Sequence, residues 1–161
     1  MLPPEHVTDT MIHKKYVLEA SLRIINYLYT EGRDEDALQF ARKCARHDDS
    51  KLESDEMREF LQLPSGHSNL KDAALKMEPN ISALIEKHWK HNRHHPEFFD
   101  DYHEMTELDV MEMVCDWYSR SIQYNTNFKE FVVTRQENRF QFDDEFFAQV
   151  WKYCEIIDKG D

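Results

Sequence analysis

The chain has 161 residues, which is enough for one domain with a hydrophobic core and too few for two comfortable ones. Its 20 basic and 32 acidic residues give a formal charge of -12. This charge argues against nucleic acid or an anionic membrane as the main partner, because both attract basic surfaces. With only three glycines, the sequence has no Gly-rich phosphate loop, and its composition favours an all-α fold.

The cysteines and the first residues of the sequence indicate the cellular compartment in which we expect the protein. Cys44, Cys115 and Cys154 are odd in number and widely spaced, so we expect reduced thiols in a reducing compartment and no thiolate zinc site. The first residues include neither a basic nor an apolar signal segment, and the apolar runs are too short to cross a membrane. We therefore expect a cytoplasmic protein of open oligomeric state, with no nucleic-acid or membrane partner.

Apolar residues at helical spacing predict the first two helices. The first is expected from about Thr8 to Glu31, capped by Thr8 or Asp9 and ended by Gly32. The second is expected from about Asp34 to His47. Its inward face is predicted to carry Leu38, Ala41 and Ala45, with Asp48 extending that face.

The remaining pattern is also helical. A short helix is predicted over about 54–61, and weaker helix follows until Pro79 stops it. Asn80 can cap the next helix, and a loop follows over 91–97. Thr106 begins a helix with a capping-box-like sequence, and the chain from Asn127 is helical. We expect one all-α helical bundle domain over 1–161, with a motif-bearing core at about 9–120 and C-terminal helices at about 127–158.

Imidazole and carboxylate groups occupy positions where these helices place apolar side chains. His13 lies one turn before Val17 on the inward stripe, and Asp116 falls in mid-helix. A buried carboxylate costs several kcal/mol unless it is paired or bound to a metal. Nitrogen and oxygen ligands from facing helices suit divalent transition metals. The sequence therefore predicts a centre for one or two such ions, with Fe, Mn, Ni, Zn and Co as candidates.

The order of these residues resembles the HD superfamily of metal-dependent phosphohydrolases, named for its adjacent His-Asp pair. Residues 12–17 (IHKKYV) are similar to the first-helix His motif, and 47–51 (HDDSK) have the HDxxK form of the HD-GYP branch. Residues 94–97 (HHPE) resemble the paired histidines of that branch, and 114–116 (VCD) resemble the closing Asp helix. The chain is also similar to a small uncharacterised HD-like family from bacteria and their phages. The resemblance covers about residues 9–120.

The resemblance implies ligands. Asp48 would bridge two metals, and a metal-activated hydroxide would attack phosphorus. An acidic residue four positions before the first His can hold an extra metal in the HD-GYP branch, which makes Asp9 a candidate. The implied ligands are His13, His47, Asp48 and Asp116 for the first metal, and Asp48, His88 and one or both of His94 and His95 for the second.

The chain also departs from the HD-GYP pattern. It has no GYP segment, so specificity for cyclic-di-GMP is not implied. Only five residues separate His88 from His94, a much shorter interval than in the dinuclear branches. The number of metals, and the choice of ligands among His88, His94 and His95, therefore stay open.

The expected function is hydrolysis of a phosphate ester or anhydride of a small anionic substrate, with a nucleotide implied by the family. The candidate catalytic residues are Asp48, Lys51 and Glu97, and the candidate substrate contacts are Lys51 and Arg93. Each residue also has a structural alternative, such as an Asp116–Arg120 ion pair. Two other functions stay open: an HD-fold dinuclear iron oxygenase, which shares the ligand set, and a non-catalytic metal-containing binding module.

Overall fold

A computed structural model describes residues 4–53 and 79–159. These residues form helices and turns without a strand, so the predicted all-α fold is confirmed. The predicted helix over 54–61 and the weak helix before Pro79 lie outside the described residues. The described residues contain six α-helices: α1 (Pro4–Thr30), α2 (Asp34–Ala45), α3 (Pro79–His91), α4 (Glu107–Gln123), α5 (Phe128–Arg135) and α6 (Asp144–Asp158).

Helix α1 ends as predicted but begins earlier. Gly32 has a φ of 72°, and its N–H donates to the Tyr29 carbonyl at 3.1 Å, which closes the last turn. The helix starts at Pro4, where the fixed φ of proline suits a first turn. Thr8 and Asp9 therefore lie within the helix, and the prediction that one of them caps it is wrong.

The inward face of α2 differs from the prediction by one position. Ala37, Phe40 and Cys44 are buried, whereas Leu38 is 41% exposed. Phe40 has more apolar surface than Leu38. Burying the face of α2 that carries Phe40 against α1 and α4 therefore stabilises the fold more than burying the face that carries Leu38. The helix also ends at Ala45, two residues before the predicted end.

Helix α4 is the buried centre of the fold. Thr106 accepts from the Asp109 N–H at 3.2 Å, and Asp109 accepts from the Thr106 N–H at 2.9 Å, which confirms the predicted capping box. From Asp109 to Trp117 every residue of α4 is buried, because α1, α2, α5 and α6 pack around it. A polar side chain on this helix therefore needs a partner inside the protein.

The C-terminal helices are capped by side chains. Asn127 accepts from the Glu130 N–H at 3.1 Å at the start of α5, and Asp143 accepts from the Phe146 N–H at 2.8 Å at the start of α6. A π-helical turn, Gln136–Phe140, follows α5 directly. The helices thus lie close to the predicted range of 127–158.

The core is apolar, and it includes the three cysteines, which are free and buried. Within 4–53 and 79–159, no helix combines the length and apolar character needed to cross a membrane.

His103, an exposed residue in the turn before α4, links that turn to the start of α6. Its ring contacts Asp101 and Asp143 at 2.6 Å each, and these two bonds raise the pKa of His103. A raised folded-state pKa gives stability that is complete below the unfolded value of about 6.5 and is lost as pH rises through the folded value.

We therefore expect His103→Gln to lower the free energy of unfolding at about pH 5.5 and to have little effect at about pH 9. Denaturant unfolding of both proteins at each pH measures this difference. An equal loss at the two pH values would contradict the charged interaction.

Candidate metal centre

Four buried side chains from three segments converge in the interior. His13 comes from α1, His47 and Asp48 from the turn after α2, and Asp116 from α4. His13 Nε2 lies 3.2 Å from His47 Nε2, 3.0 Å from Asp116 Oδ1 and 3.4 Å from Asp48 Oδ2. His47 Nε2 lies 3.6 Å from Asp48 Oδ2 and 3.7 Å from Asp116 Oδ1. We call these four residues the first ligand set.

The backbone after α2 allows two adjacent residues to face one site. The His47 N–H still bonds to the Cys44 carbonyl, at 3.1 Å, but Asp48 takes a left-handed conformation with a φ of 54°. Aspartate tolerates this region better than most residues. A 3-10 turn, Asp49–Leu52, follows and returns the Lys51 ammonium to a contact with Asp48 Oδ2.

Hydrogen bonds on the far side of each imidazole fix its orientation. Ser119 Oγ donates to the His13 carbonyl at 3.0 Å, so it accepts from His13 Nδ1 at 2.7 Å. His47 Nδ1 donates to Glu112 Oε1 at 2.9 Å. Both Nε2 atoms therefore present lone pairs when the rings are neutral, and they face each other and two carboxylates. Such a set of acceptors is stabilised by a proton or a metal ion between its members.

The charged groups of the site also favour a proton or a metal ion between the imidazoles and carboxylates. Burial lowers the pKa of His47, but Asp48, Asp116 and Glu112 raise it to about 10. Burial raises the pKa of Asp116, yet its bonds to His13 and His47 hold that pKa well below its usual value. The carboxylates are thus ionised, and they favour a proton or a metal ion at the imidazole nitrogens.

The spacing of the first ligand set fits a divalent ion. With metal–ligand bonds of about 2.1 Å, neighbouring ligand atoms lie about 3.0 Å apart in an octahedral set and about 3.4 Å apart in a tetrahedral one. Five of the six distances between the four atoms run from 3.0 to 3.7 Å. These residues therefore fit a transition metal with nitrogen and oxygen ligands.

A second group of acceptors shares Asp48. Its other oxygen, Oδ1, lies 3.4 Å from His88 Nε2 and 3.5 Å from His94 Nε2. The ligand atoms of His88, His94 and His95 all lie within 4.8 Å of one another. Asp48 Oδ1, His94 Nε2 and His95 Nε2 are buried without a hydrogen-bond partner among the described residues. We call these three histidines and Asp48 the second ligand set.

A tight turn explains how His88 reaches histidines only a few residues further on. Helix α3 ends at His91, the Asn92 side chain donates to the His88 carbonyl at 2.8 Å, and the His95 N–H bonds to the Asn92 carbonyl at 3.0 Å. The chain therefore reverses, and the ring centroids of His88 and His95 lie 4.9 Å apart. Burial and the charges of the neighbouring histidines keep the pKa of His95 well below its usual value, so its ring is neutral.

Glu112 joins the two ligand sets. Its Oε1 bonds to His47 Nδ1 at 2.9 Å and lies 3.5 Å from His94 Nδ1, so one carboxylate orients an imidazole of each set. Lys43 Nζ holds the other oxygen at 3.0 Å and also contacts Asp109 at 2.8 Å. Glu112 is absent from the ligands predicted from the sequence, although it lies one turn before Asp116 on the same helix.

Three other predicted residues are not members of the ligand sets. Arg93 pairs with Asp109 at 3.0 Å, and Glu97 pairs with Arg139. Asp9 belongs to neither ligand set, although it lies one turn before His13. The predicted roles of Arg93 in substrate binding and of Glu97 in catalysis stay predictions.

The alternative role of Asp116, an ion pair with Arg120, is present but long. The atoms lie 3.8 Å apart, whereas Asp116 lies 3.0 Å from His13. The pair therefore does not remove Asp116 from the first ligand set.

Fold and site together define an all-helical protein with a candidate metal centre. The chain belongs to a family of unknown function (DUF5662), whose model matches residues 3–155 and so includes both ligand sets. No curated protein and no solved structure matches the chain. The resemblance to the HD superfamily therefore depends on the motifs of this chain.

We expect the protein to bind two divalent ions per chain, because two ligand sets share one carboxylate. Asp48→Ala removes a ligand from both sets and should lower the metal content towards none, whereas His95→Ala should lower it towards one. Mass spectrometry of protein purified without chelator or affinity nickel measures the content, and circular dichroism checks the helices.

The matched control is His91→Ala, which removes an exposed histidine and should leave the metal content unchanged. Absence of metal even after reconstitution would contradict the metal centre.

The contacts of Glu112 generate a separate prediction. Glu112→Gln keeps an oxygen for His47 but removes the charge, so we expect metal affinity to fall by about 10- to 100-fold at both sets. Competition with a chromogenic chelator measures this loss. Glu19→Gln, at an exposed position of α1, should have no effect, and a loss confined to one set would contradict the shared role of Glu112.

Proposed function

We propose that the protein is a metal-dependent phosphohydrolase that acts on a phosphate ester or anhydride of a small anionic molecule. The observation that carries the proposal is the position of Asp48. Its Oδ2 faces His13 at 3.4 Å, and its Oδ1 faces His88 and His94 at 3.4 and 3.5 Å. Two metal sites joined by one carboxylate are suited to displacement at phosphorus. The HD resemblance favours a nucleotide as the substrate.

Divalent ions at these sets would supply Lewis acidity and lower the pKa of a bound water towards neutrality. The ion candidates are Fe, Mn, Ni, Zn and Co, in keeping with the mixed imidazole and carboxylate ligands. Asp48 holds the two sets at a fixed separation, and Glu112 fixes the ring of His47. The chain thus supplies a rigid and buried set of ligands before any substrate binds.

Lys51 is the residue that we assign to the substrate phosphate. Its side chain is 10% exposed, and its ammonium contacts Asp48 Oδ2 at the edge of the first ligand set. A phosphate oxygen near the metals would accept a hydrogen bond from this ammonium. Local positive charge is needed because the chain as a whole carries -12 and would repel an anion.

We also propose a cytoplasmic location. The three cysteines are free and buried, which is in keeping with a reducing compartment.

Turnover with defined metals tests the function. Protein reconstituted with each candidate metal is assayed for phosphate release from p-nitrophenyl phosphate and a nucleotide panel, with oxygen uptake followed in parallel. We expect phosphate release that depends on metal and is lost in Asp48→Ala. Oxygen uptake without phosphate release would indicate the oxygenase alternative, and bound metal with neither activity would indicate a binding module.

The role of Lys51 generates its own prediction. Lys51→Ala should retain the metal content but lower turnover by about 100-fold, because a cation near the phosphate is lost. Lys159→Ala removes a lysine that is 72% exposed and should leave turnover unchanged. Loss of metal from Lys51→Ala would instead show that Lys51 supports the ligands.

A further inference from the structure

Three arginines lie beside the two ligand sets. Arg120 Nε is 3.8 Å from Asp116 Oδ1, at the first set. The guanidinium of Arg139 lies 4.2 Å from the centroid of the Trp89 ring, which follows His88 in the chain. Arg135 lies one helical turn before Arg139. Helix α5 packs against α4, with the ring centroids of Tyr124 and Phe131 6.4 Å apart. Arg135 lies one turn of α5 beyond Phe131, towards the part of α4 that carries Arg120.

The chain holds this cluster in a fixed position. Helix α5 ends at Arg135 and continues into the π-helical turn Gln136–Phe140, a rare element that often occurs at functional sites. The Gln136 side chain accepts from the Phe142 N–H at 3.0 Å and donates to its carbonyl at 2.8 Å, which closes the turn. Phe140 stacks on Trp117, the residue after Asp116, with centroids 5.6 Å apart.

The arginines have more donors than carboxylate partners. Arg135 has no ion pair within the described part of the chain, and its guanidinium lies over the Phe131 ring at 4.7 Å. Arg139 uses one nitrogen for Glu97, and Arg120 shares Asp116 with the histidines. A guanidinium has five N–H donors arranged as a fork that matches phosphate oxygens. A partly buried guanidinium without a carboxylate partner, as at Arg135, is unfavourable unless an anion contacts it.

We propose that Arg120, Arg135 and Arg139 form an anion subsite that binds a second phosphate group of the substrate while the first lies at the metal centre. The inference rests on the proposed function and narrows its substrate to molecules with two phosphates, either joined as a diphosphate or carried as a bisphosphate. Bidentate contacts from Arg135 and Arg139 would hold the second phosphate, and Arg120 would lie between the phosphates.

Binding of non-hydrolysable probes tests the subsite without turnover. Metal-loaded protein is titrated by calorimetry with methylenediphosphonate and, separately, with methylphosphonate. We expect the diphosphonate to bind at least about 10-fold more tightly, because only its second group reaches the arginines. Arg135→Gln should lower diphosphonate affinity about 10-fold and leave methylphosphonate affinity within about 2-fold.

Arg42→Gln is the matched control, since Arg42 is exposed on α2, and it should leave both affinities unchanged. Metal content and helicity are measured for each variant. If Arg135→Gln does not fold, Arg139→Gln, in the π-helical turn, makes the same test. Equal affinity of the native protein for the two probes would overturn the subsite, as would an equal loss for both probes in the variant.

The outcomes also separate the subsite from the function. Hydrolysis of p-nitrophenyl phosphate without a preference for diphosphonate would remove the subsite and keep the phosphohydrolase. A preference that depends on Arg135, without hydrolysis of any phosphate, would keep the subsite and remove the phosphohydrolase. A panel of diphosphates and bisphosphates then distinguishes the two substrate types.

Discussion

The structure depends on the burial of an acceptor-rich cluster around Asp48. Two carboxylates and several imidazoles face one another within the helical core, and Asp48 is only 2% exposed. Such a cluster is costly unless a cation or protons join its members. The surrounding structure is arranged to hold it: α2 ends early, Asp48 takes a left-handed backbone, and α3 is followed by a reversal that returns His94 and His95.

A polar layer on α4 connects the cluster to the rest of the protein. Glu112 contacts His47 and His94, and its charge is balanced by Lys43, which also contacts Asp109. Burial raises the pKa of Glu112, but its bonds to the two histidines lower that pKa below the usual range. Because Asp109 also caps α4, the start of the central helix and the orientation of the candidate ligands depend on one network.

Charge is distributed in two opposite ways in this protein. The whole chain is strongly acidic, yet Lys51 and Arg120 place positive charge beside Asp48 and Asp116 of the candidate metal centre. Long-range repulsion of anions is screened by salt within about 10 Å, whereas nearby cations act directly at the site. A small anionic substrate is therefore compatible with an acidic protein, and an extended polyanion such as nucleic acid is not favoured.

The sequence alone determined the features that depend on neighbouring residues. Gly32 ends α1 and Thr106 caps α4 because each acts on backbone groups within a few positions. The helical periodicity also identified His13 and Asp116 as polar residues at positions that face the core. Only the tertiary structure decided which groups meet. The bond between His13 and Ser119 spans 106 positions, and the inward face of α2 is set by its packing against α1 and α4, not by its own pattern. Contacts between distant segments depend on how the helices pack, and the helix propensity of each segment does not specify that packing.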